Sequence, residues 1–439
     1  MIDLHNIDFS TSSKLISQMD YNDLFYAGLQ YAPPARGLWN IVHMGFLMPE
    51  SHEIFVCAQG CIRGVVLTAH EANLATRFST VVIQEDNVID GDMEYQIING
   101  VSDVLNRLEN KPKAVEVYTS CIHYFTGCDL PYVYKKLREN FPNILFTDCY
   151  MTPITRKSGI TPDEKMRKQL YSLIEENTKV DNSISMIGNV YSFDEDSDLR
   201  QILSLAKINY RDITMCKKWE DYQDLGKSSF FIYSNPAAEK GCISLSKKLN
   251  KDNYFLPISY TREEIIKNNQ KICNLVGLSS FNTEKIEKEI NLLIKKIQKL
   301  LKEWKIVLDY SATPRVINLT RFLLDLGLNV EKVYLDSVST CDKDDFLYLQ
   351  ENYKDLIISS PTHPSARFLH KENKENILAI GQKSAYYEGT SNFVNLIEGN
   401  TYWGFNGLKK LLLDIIDAIS YKKDVSKIIQ IKGWGCNCD

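Results

Sequence analysis

Short β-branched runs alternate with amphipathic helical stretches along nearly the whole of this chain, and that alternation restricts it to a narrow set of folds. Phe55-Val56 reads as a strand running into a loop, Cys57–Gly64, and Val65 to Phe78 carries helical spacing. Thr80 to Gln84 is the next strand, Glu94 to Leu108 a helix, and Ala114 to Tyr118 a strand that ends at Cys121. Leu130 to Asn140 and Asn143 to Thr147 repeat the helix and strand. Strands separated by helices have room for crossover connections, so they pair in parallel with helices covering the sheet. The pattern restarts after a connection near Met151 to Gly159, and again at the strand Lys305–Tyr310. The expected fold is therefore α/β, with three Rossmann-like domains at residues 1–158, 159–280 and 281–439, each a parallel sheet flanked by helices. The long helical stretch Thr283 to Trp304 is expected to cross between domains. In such sheets ligands collect at the carboxyl ends of the strands.

Two cysteine segments fall at such ends. The first is Val56-Cys57-Ala58-Gln59-Gly60-Cys61-Ile62-Arg63-Gly64, and the second is Thr119-Ser120-Cys121-Ile122, which runs on to Gly127-Cys128-Asp129. Buried cysteine is common core material, but Gly-Cys-x-x-Gly packs poorly in a strand. Glycine also lets a backbone come close to a metal–sulfur group and donate N–H bonds to its sulfurs. Cys57 and Cys61 have C-x3-C spacing, without the second pair of a zinc finger and without the four-cysteine run of a ferredoxin. A cluster here needs ligands from distant sequence or from a second subunit.

Composition narrows the setting. The 439 residues can bury two or three cores, and 44% hydrophobic with 24% charged residues is a globular balance. A net charge of −5 argues against nucleic acid as a partner. Eleven cysteines in a chain of this size do not suggest a disulfide scaffold. The N-terminal Met1-Ile2-Asp3-Leu4-His5-Asn6 has no basic n-region or apolar h-region, and no run of about 18 apolar residues occurs, so neither a signal peptide nor a membrane span is expected. A reducing cytoplasm, where thiols stay free for metals, is the expected location.

The same segments carry a family resemblance. Gln59-Gly60-Cys61, followed by Gln84-Glu85-Asp86-Asn87-Val88-Ile89-Asp90-Gly91, resembles the N-terminal domain of nitrogenase component 1 proteins. So does Val117-Tyr118-Thr119-Ser120-Cys121 leading to Thr126-Gly127-Cys128-Asp129-Leu130, and so does the turn Tyr402-Trp403-Gly404-Phe405-Asn406-Gly407 before a C-terminal helix. That family includes dark-operative protochlorophyllide reductase and the nickel-tetrapyrrole reductase. The resemblance implies an Fe–S cluster at a subunit interface with Cys61 and Cys121 at the ligand positions, and Cys57 and Cys128 close enough to serve. Members with the eight-iron cluster carry another cysteine upstream, near where this chain has Ala32, Pro33 and Pro34, and no cysteine precedes Cys57. Either the cluster is a [4Fe–4S] with two ligands from each of two subunits, or Cys57 replaces the missing ligand of a larger P-cluster-like group.

The resemblance also implies a partner, a P-loop ATPase carrying its own Fe–S cluster, as electron donor. This chain offers no phosphate loop of its own, because Leu225-Gly226-Lys227-Ser228-Ser229 has Asp221 where the first glycine of the motif belongs. Catalytic candidates are His363, Arg367 and His370 after a predicted strand end, and Arg315 after the strand Ile306–Tyr310. Family members that reduce dinitrogen anchor a large cluster with a middle-domain cysteine and a C-terminal histidine. Here Ser234, Asn235 and Pro236 occupy the first place, with Cys242 two turns on, and Gly381 to Gly404 contains no histidine. The tail thiols Cys436 and Cys438 could chelate a metal or exchange disulfides. The expected function is a nitrogenase-like reductase subunit, forming a homodimer or pairing with a paralogous chain, that reduces a small or tetrapyrrole-like substrate. A cluster-assembly scaffold of the same fold is the alternative.

Overall fold

The computed structural model describes residues 12–25, 41–151, 160–176, 179–368 and 376–423. Fourteen strands occur among them, and all but one pair in parallel. In chain order β1 is Ser13–Leu15, β2 Ser51–Ala58, β3 Phe78–Ile83, β4 Ala114–Ser120, β5 Leu145–Met151, β6 Ser183–Met186 and β7 Asn209–Asp212. There follow β8 Phe230–Tyr233, β9 Asn253–Phe255, β10 Lys305–Asp309, β11 Val330–Tyr334, β12 Ile357–Ser359, β13 Ile377–Ile380 and β14 Phe393–Val394. They make three sheets, ordered β3-β2-β4-β5, β7-β6-β8-β9 and β1-β12-β11-β10-β13-β14. This is the parallel α/β architecture expected.

Contacts gather the chain into two compact units. One holds the first two sheets, within Trp39–Ser192 and Asn209–Phe255, and the other holds the third, within Met1–Leu38, Phe193–Ile208 and Leu256–Asp439. The third sheet carries an addition that the alternating pattern does not announce. Strand β1 joins its edge antiparallel to β12, with Ser13 opposite Ser359. The helix Glu284–Leu300 belongs wholly to this unit rather than crossing between domains, and Glu289 on it meets Lys409 of the helix Gly404–Ser420 at 2.6 Å.

The first sheet is sealed on one face by Ile54, Val56, Val115, Val117 and Phe146 against Ile97, Val101, Leu105, Val133 and Leu137. The helices Met93–Arg107 and Leu130–Asn140 supply those residues at three- and four-residue spacing. Its other face sets Phe55, Cys57, Tyr118, Cys149 and Met151 against Ile41, Met44, Val65 and Ala69.

In the other unit the turn Trp403-Gly404-Phe405 is fixed by a buried acid. Asp198 accepts hydrogen bonds from Phe405 N, Asn406 N, Asn406 Nδ2 and Asn269 Nδ2 at 2.8–3.0 Å, so it caps the helix Gly404–Ser420 from outside. Gly404 has φ +73 and lies so close to Asp198 that any Cβ would collide with its carboxylate. Asp198→Ala leaves those donors unpaired in a fully buried place, with an expected loss of roughly 3 kcal/mol of stability, read as a lowered denaturant midpoint.

Candidate functional site

In the first sheet the chain leaves β2 for β3 on one side and later returns to β4 on the other. Connections that part in opposite directions leave a crevice at the carboxyl ends of the two central strands. Strands β2 and β4 are in register there, with Val56 opposite Thr119. Cys61 follows the end of β2 and Cys121 follows the end of β4, so the topology brings both cysteine segments to one crevice.

The predicted Cys57–Gly64 loop is not a loop. The helix Gln59–Glu71 begins directly after Ala58, which is extended at φ −64, ψ 149, and Cys61 lies in its first turn. Two glycines disguised this start, because Gly60 and Gly64 lower helix propensity by about 1 kcal/mol each relative to alanine. A Cβ on either one would touch nothing within 4 Å, so the chain's own packing does not demand them. No side chain caps this helix, and Gly60, Cys61, Arg63 and Gly64 are exposed. The first-turn N–H groups and the positive end of the helix dipole therefore surround an exposed thiol. Such surroundings suit a thiolate or an anionic metal–sulfur group.

Cys121 is the first residue of the helix Cys121–Phe125 and is half-buried, its Sγ 3.9 Å from Met151 O. His123 Nδ1 accepts the Ser120 N–H at 3.1 Å, which pins the turn that carries Cys121. The other two candidate ligands are set differently. Cys57 is fully buried in the apolar layer against Phe55 and Tyr118, and burial, followed by neighbouring Cys61, pushes its thiol up to about 12. Cys128 is half-buried beside Glu94, and burial together with that carboxylate raises its thiol to about 12 as well. Both thiols resist ionisation, so in the metal-free protein neither is a ready ligand. Among the described residues no group of three or more His, Cys, Asp or Glu side chains could hold a metal ion. Two cysteines at one crevice, Cys61 exposed and Cys121 half-buried, are fewer than the four thiolates a cluster takes, so the rest would have to come from elsewhere.

The remaining candidates lie in the other unit. Arg315 is 1% exposed, with its guanidinium bound to Asp342, to Asp345 at 3.1 Å and to Glu264 at 3.2 Å. Those partners commit it to joining helices in the core. His363 is half-buried in the loop after β12, its Nδ1 2.6 Å from Ser365 Oγ. Arg367 lies in the short 3-10 helix Pro364–Phe368, with its side chain outside the described residues, as are His370, Cys436 and Cys438. Cys242 is fully buried on the helix Glu239–Leu249 in the core of the second sheet, and its thiol is raised to about 12 by burial. No helix among the described residues is long and apolar enough to cross a membrane.

The fold is that of a nitrogenase component. The structure of nitrogenase Cp1 at pH 6.5 superposes with a TM-score of 0.67 at 17% identity, over 91% of this chain and 95% of the other. Nitrogenase Cp1 at pH 5 gives 0.59 at 12% identity, over 94% of each chain. No curated protein sequence matches the chain. Residues 44–420 match the nitrogenase component 1 type oxidoreductase family, and the chain belongs to that family.

Proposed function

We propose that this chain is the reductase subunit of a nitrogenase-like enzyme, holding one half of an interface Fe–S cluster through Cys61 and Cys121. The observation that carries the reading is their convergence on one switch-point crevice in a chain of this family. When bound, the cluster supplies one-electron transfer. The protein's own part is to present Cys61 within the open first turn of its helix, where free N–H groups oppose negative charge, and to fix Cys121 through the Ser120–His123 turn. Two thiolates per chain make four in a dimer, the number a [4Fe–4S] cluster takes.

Exposed apolar side chains support the dimer. Ile89, Tyr95, Tyr124 and Phe125 are 79%, 64%, 67% and 71% exposed, and all lie on segments that follow strand ends of the first sheet. Large apolar side chains left exposed on such segments suit a surface that another chain covers. The partner is a second copy or a paralogous chain. Electrons come from a separate P-loop Fe–S ATPase, and the substrate is small and organic or tetrapyrrole-like.

Protein purified without oxygen is expected to be brown, to contain iron and acid-labile sulfide, and to sediment as a dimer. Colourless, iron-free protein after anaerobic reconstitution overturns the cluster, and a cluster-loaded monomer overturns the shared site. Turnover with ATP and a chemical reductant in the absence of any ATPase partner would remove the electron-donor part of the reading.

A further inference from the structure

Two glutamates are buried side by side on the strands that carry the cysteine segments. Glu53 of β2 and Glu116 of β4 are in-register partners, and both are 0% exposed. Adjacent strands lie about 4.8 Å apart. Gly45 backs onto the pair, and a Cβ there would collide with Glu53 Oε1, with Tyr118 OH and with Glu116 Oε2, the last at 2.6 Å. The two carboxyl groups therefore crowd one point. Tyr118 OH lies 3.2 Å from Glu116 Oε2; the Phe46 backbone reaches toward Glu53 and the Ser51 hydroxyl toward Glu116, yet both oxygens of Glu53 and the Oε1 of Glu116 lack a partner in good hydrogen-bond geometry.

Among the described residues Arg77 is the one cation acting on the pair, and its charge lowers both carboxyls, but its donors go to Ser51 O, Phe46 O, Met48 O and Ser51 Oγ rather than to either carboxylate, so it cancels at most one of two charges. Tyr118, Cys149 and Tyr222 are the other titratable neighbours, and each is neutral at ordinary pH: burial first holds their protons on, followed by the Glu116 carboxylate for Tyr118 and Cys149 and by Tyr171 and then Glu116 for Tyr222. Two carboxylates cannot both ionise in contact inside an apolar layer. A proton on one carboxyl group lets it donate to the other, which pairs two of the three unpartnered oxygens.

We propose that Glu53 and Glu116 hold a single proton between them, and that the first sheet is therefore a pH-sensitive element beneath the cysteine-bearing turns. Glu53, Phe55 and Cys57 alternate along one face of β2, and Tyr118 stacks on Phe55 with ring centroids 4.0 Å apart. Loss of the proton forces two charges together at the foot of that stack, with Cys57 and then Cys61 at its head.

The sign follows from the direction of the shifts. A solvated glutamate ionises near 4.5, whereas burial raises Glu116 to about 7, and burial with its charged neighbour takes Glu53 well above its ordinary range. The folded state thus keeps protons that the unfolded chain releases. The stabilisation is fully present below about pH 4.5; the part held by Glu116 is lost as pH rises through about 7, which leaves the pair with the one shared proton that Glu53 keeps to higher pH. Each proton so retained shifts the unfolding constant by about tenfold per pH unit within that window.

The experiment follows unfolding of the whole metal-free chain at pH 5, 6, 7 and 8, beside Glu116→Gln and Glu53→Gln. Either amide replaces the shared proton with a permanent donor. The wild type is expected to lose stability relative to Glu116→Gln by about tenfold in the unfolding constant per pH unit up to about pH 7, and the variant is expected to be the more stable at pH 8. A parallel pH dependence in wild type and variants overturns the proposal. Infrared spectroscopy of the wild type at pH 7 needs no variant to fold. A carbonyl stretch from a buried protonated carboxyl group is expected, and its absence also overturns the proposal.

Discussion

Cys61→Ser is expected to lower the iron bound to anaerobically isolated protein by at least about tenfold while leaving the fold in place. The side chain is exposed on the first turn of a helix, so a serine there changes stability by no more than about 0.5 kcal/mol. Its hydroxyl does not replace a thiolate for iron. Cys121→Ser should give the same loss, since the proposed site takes two of its four ligands from each chain. Cys57→Ala separates this arrangement from a larger cluster. It trims a buried thiol in the apolar layer around Phe55 and Tyr118, which costs about 1 kcal/mol, and it should leave iron and sulfide at the wild-type ratio. Iron analysis, absorption spectra and circular dichroism on the three variants read all of this at once. Full iron in Cys61→Ser and Cys121→Ser removes both residues from the site, and selective loss in Cys57→Ala moves the ligand role to the strand.

Much of this was legible in the sequence, because the period of a buried strand and the period of a helix differ wherever segments are long. The strands around Phe55, Val117 and Val307 announced themselves, and so did the parallel pairing, which follows from the helices between them. The resemblance carried the pairing of Cys61 with Cys121, and the sheet order gives it a physical basis. Short or glycine-bearing elements were not legible. Strand β1 is three residues, Ser13–Leu15, and gains its meaning only from β12 more than three hundred residues away. The helix at Gln59 was masked by Gly60 and Gly64. Arg315 looked like a residue at a strand end, but its partners Glu264, Asp342 and Asp345 are distant in sequence. Glu53 and Glu116 carried a local signal, a lone acid within an apolar β-run, yet nothing in either run says that the two face each other. Long-range pairing of that kind is set by tertiary register and is absent from any local window.

Metal analysis of the isolated protein should show no stoichiometric molybdenum or vanadium, and no iron beyond one interface cluster per dimer. A large sulfur-bridged cluster needs thiolate and imidazole anchors. The turn after β8, where a thiolate anchor belongs, is Ser234-Asn235-Pro236, and Asn235 Oδ1 there accepts the Ala237 N–H at 3.0 Å. Cys242 lies farther along, on the helix Glu239–Leu249, with no exposure. Its neighbours in the core include Leu170, Ile187, Phe231 and Leu245, and burial holds its thiol protonated to about 12. Bringing it to a metal means unpacking that core, at several kcal/mol by the usual cost of disrupting buried side chains. Between Gly381 and Gly404, the segment where the resemblance implies an imidazole, the chain has the acids Glu388 and Glu398 and no histidine. Both are nearly buried, and Glu388 is already bound to Lys332 at 3.0 Å and Tyr334 at 2.6 Å. Molybdenum or vanadium at one atom per chain, or iron well beyond one cluster per dimer, would show that Cys242 or an acid does anchor a metal after all.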